Sequence, residues 1–263
     1  LPVLNKKVVE YAVKAGLATN CEISRFSKQD RKNYFYPDLP KAFQTSQYDL
    51  PLCEHGYLEF NVDGYKKKVG ITRIHIEEDA GKLIHDAYTG ATLVDMNRCA
   101  VPLIEIVSEP DIRTADEAVM YMQTLKSILE YLEVCDCKMQ EGSLRCDVNL
   151  SVRKKGSTEF GTRTETKNLN SFKSIKDSIE FETKRQIEEL ENGGVIYQET
   201  RRFDDAKGIG YAMRTKEDAN DYRYFPEPDL APIVLSDEYI ENIKNNLPEL
   251  PHIRKERYVK EYK

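Results

Sequence analysis

The chain has 263 residues, 40% of them hydrophobic and 32% charged, with 45 acids against 39 bases and a net charge of −6. That length buries a real core and holds one large domain or two small ones. No apolar run reaches the roughly 18 residues that a membrane span needs, and no signal peptide opens the chain. The expectation is a globular protein of the cytoplasm or an organelle matrix, and the acidic balance does not advertise nucleic-acid binding.

Residues 5–20, NKKVVEYAVKAGLATN, set Val8, Val9, Ala12, Val13 and Leu17 at helical spacing behind Asn5 as N-cap. The chain opens on LPV with no methionine, which reads as a segment of something longer. DRKNYFYPD at 30–38 mixes bases with aromatics, as do ETRRFDD at 199–205 and NDYRYFPEPD at 220–229. Such mixtures suit stacking on a nucleotide or on unpaired bases, or else they serve the core. Residues 57–76 alternate apolar and polar around Asp63-Gly64, a strong hairpin signal.

The second strand of that hairpin runs into Glu77, Glu78 and Asp79. Alternation puts Arg73, His75 and Glu77 on one face and Thr72, Ile74, Ile76 and Glu78 on the other, so a ligand role for Glu78 requires the chain to leave the regular strand there. VPLIEIVSEPD, 101–111, is a short apolar run interrupted by Glu105, a carboxylate costly to bury unless something positive meets it.

Residues 114–132 open with a capping box, Thr114 and Glu117, and carry Ala118, Leu125, Ile128, Leu129 and Leu132 as a helix. SLRCDVNLSVR, 143–153, alternates strictly, with Arg145, Asp147 and Asn149 on its polar face. FGTRTETKNLN, 160–170, reads as another strand with Arg163, Glu165 and Lys167 in phase, and 171–194 as a long helix capped by Ser171 and stopped by Gly193 and Gly194. Hairpin-linked strands separated by long helices predict an α+β fold with a largely antiparallel sheet. After 235 the chain turns lysine-rich and helical, which divides it into a domain over 1–235 and the start of a linker over 236–263.

The chain has no GxxxxGK[ST] loop, KGIGYAM at 207–213 lacks the third glycine of a dinucleotide fingerprint, and there is no serine nucleophile elbow. Six cysteines without a CxxC read as free thiols. What remains is acids on strands: Glu77, Glu78, Asp79, Glu105, Glu109, Asp147 and Glu165. They are either scattered salt-bridge partners or a group neutralised by a cation, for which magnesium, with its preference for oxygen ligands and phosphates, is the natural occupant.

DRKNYFYPDLPKAFQTSQYD at 30–49, HIEEDAGK at 75–82, PLIEIVSEPDIR at 102–113, EGSLRCDVNLSVR at 141–153, KNLNSF at 167–172, GGVIYQETRRFD at 193–204 and DYRYFPEPDL at 221–230 together resemble the B subunit of the aspartyl/glutamyl-tRNA amidotransferases, in family order over nearly the whole chain. The resemblance implies ATP-dependent phosphorylation of the side-chain carboxylate of glutamate misacylated onto tRNA(Gln), or aspartate on tRNA(Asn). Displacement of phosphate by ammonia from an amidase A subunit (GatA) would follow, with a small C subunit (GatC) bracing the pair. It implies a catalytic domain like that of glutamine synthetase and the guanidino kinases. Glu78 and Glu105 match the family's magnesium ligands, Asp147 a second-metal ligand, and His75, Glu77, Glu141, Asn149 and Glu165 are further candidates. Lys32, Arg73, Arg145 and Lys167 could supply cations to the phosphates of ATP.

The family pattern also has an earlier strand with a glutamate and a histidine, often a cysteine-rich zinc loop, and later helical and tail domains, none of which falls within 1–263. Two further readings share these residues: a fragment that only docks partner subunits and tRNA, and a carboxylate-amine ligase acting on a small metabolite.

Overall fold

A computed structural model describes residues 2–86, 88–167, 169–215 and 222–262. Asn168 of KNLNSF, and Asn220 and Asp221 at the head of the last aromatic motif, lie outside the described residues. In chain order the elements are α1 (Lys6–Ala18), β1 (Glu22–Ile23), β2 (Phe26–Ser27), β3 (Asp30–Asn33), β4 (Phe43–Ser46), β5 (Cys53–Val62), β6 (Tyr65–Glu78), β7 (Lys82–His85), β8 (Thr92–Asp95) and β9 (Pro102–Ser108). Then come α2 (Ala115–Tyr131), a 3-10 turn (Met139–Glu141), β10 (Val148–Leu150), β11 (Thr164–Lys167), α3 (Phe172–Glu191), β12 (Glu199–Asp204) and β13 (Ile209–Thr215). The chain closes with β14 (Phe225–Pro226), β15 (Ile233–Val234), α4 (Asp237–Asn245) and α5 (Pro251–Glu261). No described helix is long and apolar enough to cross a membrane.

Two compact units result. The first comprises 1–59, 68–111 and 221–263, and the second 60–67 and 112–220. This division differs from a boundary at 235, because α4 packs on α1 and so joins the last segment to the first unit. The tip of the β5–β6 hairpin belongs to the second unit and its base to the first. Asp63 and Gly64 both take positive φ, 45° and 89°, the backbone a two-residue hairpin turn needs.

In the first unit the main sheet has the order β1-β5-β6-β9, and a small sheet has the order β14-β3-β4. α1 starts where Asn5 Oδ1 accepts from the Lys7 N–H at 2.9 Å, and its apolar stripe buries Ala12, Val13 and Ala15. Gly16 lets the helix approach the sheet, since a Cβ there would sit 2.5 Å from Cys53 Sγ. Leu52, Cys53, Leu58, Val69, Ile71, Ile74 and Ile76 complete the core.

Side chains of β4 and its flank bind the small sheet to the end of β6. Gln44 Nε2 donates to the Glu78 carbonyl at 2.8 Å, the Thr45 N–H donates to Glu78 Oε1 at 2.9 Å, and the Ile76 N–H donates to Gln47 Oε1 at 2.9 Å. Gln47 is fully buried, and its Nε2 also donates to Ser27 Oγ and the Lys28 carbonyl, so its amide is satisfied at both ends.

The second unit carries α3 against a sheet of order β10-β11-β12-β13, with α2 packed on α3. All its pairs are antiparallel except β11 with β12, which α3 connects in parallel. Together the two units give the expected mixture of helices and mainly antiparallel strands. The strands are shorter than the alternation suggests: only 148–150 of 143–153 and 164–167 of 160–170 pair as ladders. Alternate exposure nevertheless persists along 144–150, with Arg145, Asp147 and Asn149 exposed.

Half of the α2 capping box forms. The Glu117 N–H donates to Thr114 Oγ1 at 3.1 Å, but the Glu117 carboxylate turns to the Arg113 N–H, Tyr65 OH and Lys67 Nζ instead of the Thr114 N–H. Under the sheet, Glu182 of α3 is buried and accepts from Thr164 Oγ1 at 2.8 Å and Gln186 Nε2 at 2.9 Å, and it pairs with Arg185 at 2.7 Å and Arg201 Nε at 3.0 Å. Arg201 is buried too, and removing Glu182 takes away one of its two counter-charges and leaves it only Glu199. Glu182→Ala is expected to destabilise the chain by about 3–5 kcal/mol, read as a shift of the urea midpoint at unchanged slope. A loss under about 1 kcal/mol would mean that Glu199 alone satisfies Arg201.

Candidate metal centre

The β6/β9 ladder sets His75 directly opposite Glu105 and Glu77 opposite Leu103. Period-2 geometry therefore puts Glu77 beside His75 on one face, with Glu105 facing both. His75 Nε2 lies 3.3 Å from Glu105 Oε2 and 3.6 Å from Glu77 Oε2, and one ligand atom from each of the three residues lies within 4.8 Å of the others. This is the one group of three or more potential metal ligands among the described residues. His75 is 2% exposed while Glu105 is half-exposed, so the cluster has a buried floor and an open side.

Glu78 goes elsewhere. It is the last residue of β6 and faces opposite to Glu77, where its carboxylate takes Lys41 and the Thr45 N–H. The structure thus groups Glu105 with His75 and Glu77 and not with Glu78. Asp147 is in the second unit, where Lys167 Nζ donates to its Oδ2 at 2.8 Å and lies 3.3 Å from Glu165 Oε1. Arg145 and Asn149 share that unit, and Arg145 Nε donates to the Gly142 carbonyl at 3.1 Å. Glu141 is held by Lys138 in the same unit.

Lys32 and Arg73, the two expected cations of the first unit, both act on Glu105. The hydrogen bond from His75 holds the Glu105 carboxyl below the usual range against the cost of burial, and the charges of His75, Lys32 and Arg73 add to that. Burial pulls His75 down, but hydrogen bonds to Glu105 and Glu77 outweigh it and leave the imidazole above its ordinary 6.5.

Aromatic side chains wall this site. Tyr48 and Tyr224 stack at 4.3 Å, Tyr222 meets Tyr224 and Tyr34 edge-on, and Lys32 Nζ sits 4.6 Å over the Tyr222 ring. Arg73 Nη1 donates to the Tyr48 carbonyl at 3.2 Å. Burial first, then the charges of Glu77 and neighbouring groups, push the Tyr34 phenol up to about 12. Tyr224 also rises to about 12, chiefly through burial. Both phenols stay protonated and able to donate at neutral pH.

A divalent cation fits the donor set. Two carboxylates meeting His75 Nε2 are a ligand group whose charge such an ion neutralises, while the other ring nitrogen, Nδ1, is buried without a hydrogen-bond partner. Alternation along 69–78 is the sequence signal that joins His75 and Glu77. Nothing local marks Gln47, Lys41 or Tyr48 as their supports.

Fold and site define a class first: an α+β protein that presents a cluster of two carboxylates and an imidazole on an antiparallel ladder beside basic and aromatic side chains. The particular family follows from comparison. The GatB/GatE catalytic domain profile matches residues 1–241, and the chain belongs to that family. Its relatives include the B subunits of aspartyl/glutamyl-tRNA(Asn/Gln) amidotransferases. The chain is 69% identical over 262 residues to that of Caldicellulosiruptor bescii, 67% to that of Thermoanaerobacter sp. and 60% to that of Thermodesulfovibrio yellowstonii. In each case all of this chain is covered and 55% of the relative, so the chain spans about half the length of the curated relatives it matches.

The linked titrations have defined signs. Stability from the raised His75 is complete below its ordinary value and is lost as pH rises through the raised one. Stability from the lowered Glu105 is complete above its ordinary value and is lost as pH falls through the lowered one. In the metal-free chain the His75 ring resonances are expected to titrate above 6.5, and Glu105→Gln to move that midpoint down. An unchanged midpoint in the variant would show that the pair is not coupled.

Proposed function

We propose that this chain is the ATP-using core of a tRNA-dependent amidotransferase, converting the side-chain carboxylate of Glu-tRNA(Gln) or Asp-tRNA(Asn) to an acyl phosphate and then to the amide. The ammonia would come from a partner amidase, with a small third protein in the assembly. Membership of the family supports this, and so do the names of relatives 60–69% identical over the whole chain. The observation that carries it is the convergence of His75, Glu77 and Glu105 beside Lys32 and Arg73.

The chemistry asks for this combination. A carboxylate resists ammonia because it is anionic and its oxygen is a poor leaving group, and phosphorylation removes both obstacles. Phosphoryl transfer is largely positioning and charge neutralisation. On this reading Glu77, Glu105 and His75 hold magnesium, which when bound supplies neutralising charge to the phosphates of ATP. Lys32 and Arg73 place further positive charge on phosphate oxygens, and the protonated phenols of Tyr34 and Tyr224 donate hydrogen bonds without adding negative charge. The aromatic wall offers flat faces for a base and limits water around the acyl phosphate. Arg145, Asp147 and Lys167 are a second set of groups with the same chemistry. A catalytic fold like that of glutamine synthetase is part of the proposal.

In this account Glu78 is a strut and Glu77 a ligand. In the full-length protein assembled with its partners, Glu77→Gln and Glu105→Gln are each expected to lower ATP-dependent formation of Gln-tRNA(Gln) by more than about 100-fold, beyond what a merely supporting residue costs, with glutaminase activity retained. Glu78→Gln is expected to lower thermal stability more than turnover per folded enzyme. Full transamidation by both of the first two variants would sink the assignment.

A further inference from the structure

The segment after α2 contains a second reactive constellation, unrelated to the acids of the first unit. Cys135 and Cys137 flank Asp136, and Cys137 takes the left-handed backbone, φ 50°, which folds the triplet back on itself. As a result the Cys137 N–H donates to Cys135 Sγ at 3.2 Å, which draws the first sulfur back onto the residue that carries the second. Cys135 is half-buried and open to small solutes, whereas Cys137 is 1% exposed. A reactive thiol that solvent reaches, backed by a second thiol that it does not, is the arrangement in which oxidation of the first is resolved by the second.

The loop is built to hold this pair. Ser143 Oγ accepts from the Lys138 N–H at 2.9 Å and donates to Asp136 Oδ1 at 2.5 Å, pinning the residues on either side of Cys137, and Lys126 Nζ donates to the Cys137 carbonyl at 3.1 Å. Cys135 itself donates to the Ser143 carbonyl at 3.1 Å, which favours the thiol. Against that acceptor stand the Cys137 thiol, the Cys137 backbone N–H and the Ser143 side chain, and the balance lowers the Cys135 thiol well below its usual range. Cys146 lies on the opposite course, pushed up to about 12 by burial and then by Asp147, and burial raises Cys21 and Cys53 as well.

We propose that Cys135 and Cys137 form a redox modification site, closing a reversible disulfide on reaction with a hydroperoxide. The Cys135 thiolate attacks the distal peroxide oxygen: an S–O bond forms, the O–O bond breaks, and the departing alkoxide or hydroxide takes a proton to leave as alcohol or water. Sulfur loses two electrons, and the peroxide gains them. Cys137 sulfur then attacks Cys135 sulfur: the S–S bond forms, the S–O bond breaks, and hydroxide leaves with the Cys137 proton as water. An exchanging dithiol restores both thiols and carries away the electron deficit as its own disulfide. The segment that closes leads directly into Arg145 and Asp147, so the modification acts on the approach to those residues.

The test uses the unmodified chain. Limited iodoacetamide at neutral pH, followed by peptide mass mapping, is expected to label Cys135 at least roughly tenfold faster than Cys99 or Cys146. Hydrogen peroxide is expected to cost the chain the mass of two hydrogens, with the link mapped to 135 and 137 and removed by dithiothreitol. In Cys137→Ser the same treatment should instead add one oxygen at Cys135, trapped by dimedone. Labelling of Cys135 no faster than Cys99, or a first disulfide mapped elsewhere, overturns the proposal.

Discussion

The pairing of His75 with Glu105 across two antiparallel strands is the constraint on which the first unit depends. Two carboxylates brought to one point on a sheet repel, and here a buried imidazole lies between them, 3.3 Å from Glu105 and 3.6 Å from Glu77. A slip of one residue in β6 would turn Ile74 and Ile76 out of the core and send the acids inward, so apolar burial on one face enforces the electrostatic arrangement on the other. The register is a property of the core as much as of the site.

That ladder would be a bare acidic edge without the small sheet β14-β3-β4. Gln47 and Glu78 fasten its flank to the end of β6, and this brings Lys32 of β3 and Tyr222 and Tyr224 of the returning chain around Glu77 and Glu105. The strut is polar and largely buried, so it is directional: each amide and carboxylate oxygen has one geometry in which its partners are satisfied, whereas apolar contact alone would allow the sheet to slide. Position at the site is thus set by hydrogen bonds and stability by the apolar core beneath.

The second unit uses the same division of labour. α2 packs on α3, with Ile128, Leu129 and Ile175 among their buried residues, while the buried Glu182 network of Thr164, Arg185, Gln186 and Arg201 ties α3 to its sheet. Above it, Asp147, Glu165 and Lys167 meet on the exposed face, and the loop feeding them is governed by Ser143 and the two thiols beside it. Polar order on both sheets rests on a short list of buried hydrogen-bonded and ion-paired groups.

Much of this was legible in the sequence wherever the cause is local. Asn5, Thr114 and Ser171 cap the helices they precede, because a cap needs only a side chain and the N–H two or three residues on. Asp63-Gly64 turns the hairpin because it tolerates positive φ, whereas Glu105, read as costly to bury between its isoleucines, is half-exposed and meets His75 across the ladder. The extended motifs from residue 30 to 230 likewise sufficed to indicate the family. What only the tertiary structure decided is which of two adjacent acids joins His75 and Glu105: Glu77 and Glu78 differ by one step of a period-2 strand, and Glu78 is taken by Lys41 and the Thr45 N–H, more than 30 residues away in sequence, while Glu77 lies beside His75. The same holds for strand length and for the aromatic wall, where residues 222–226 return to pair beside residue 31. Contacts across such separations are set by how whole elements pack, and no local pattern encodes them.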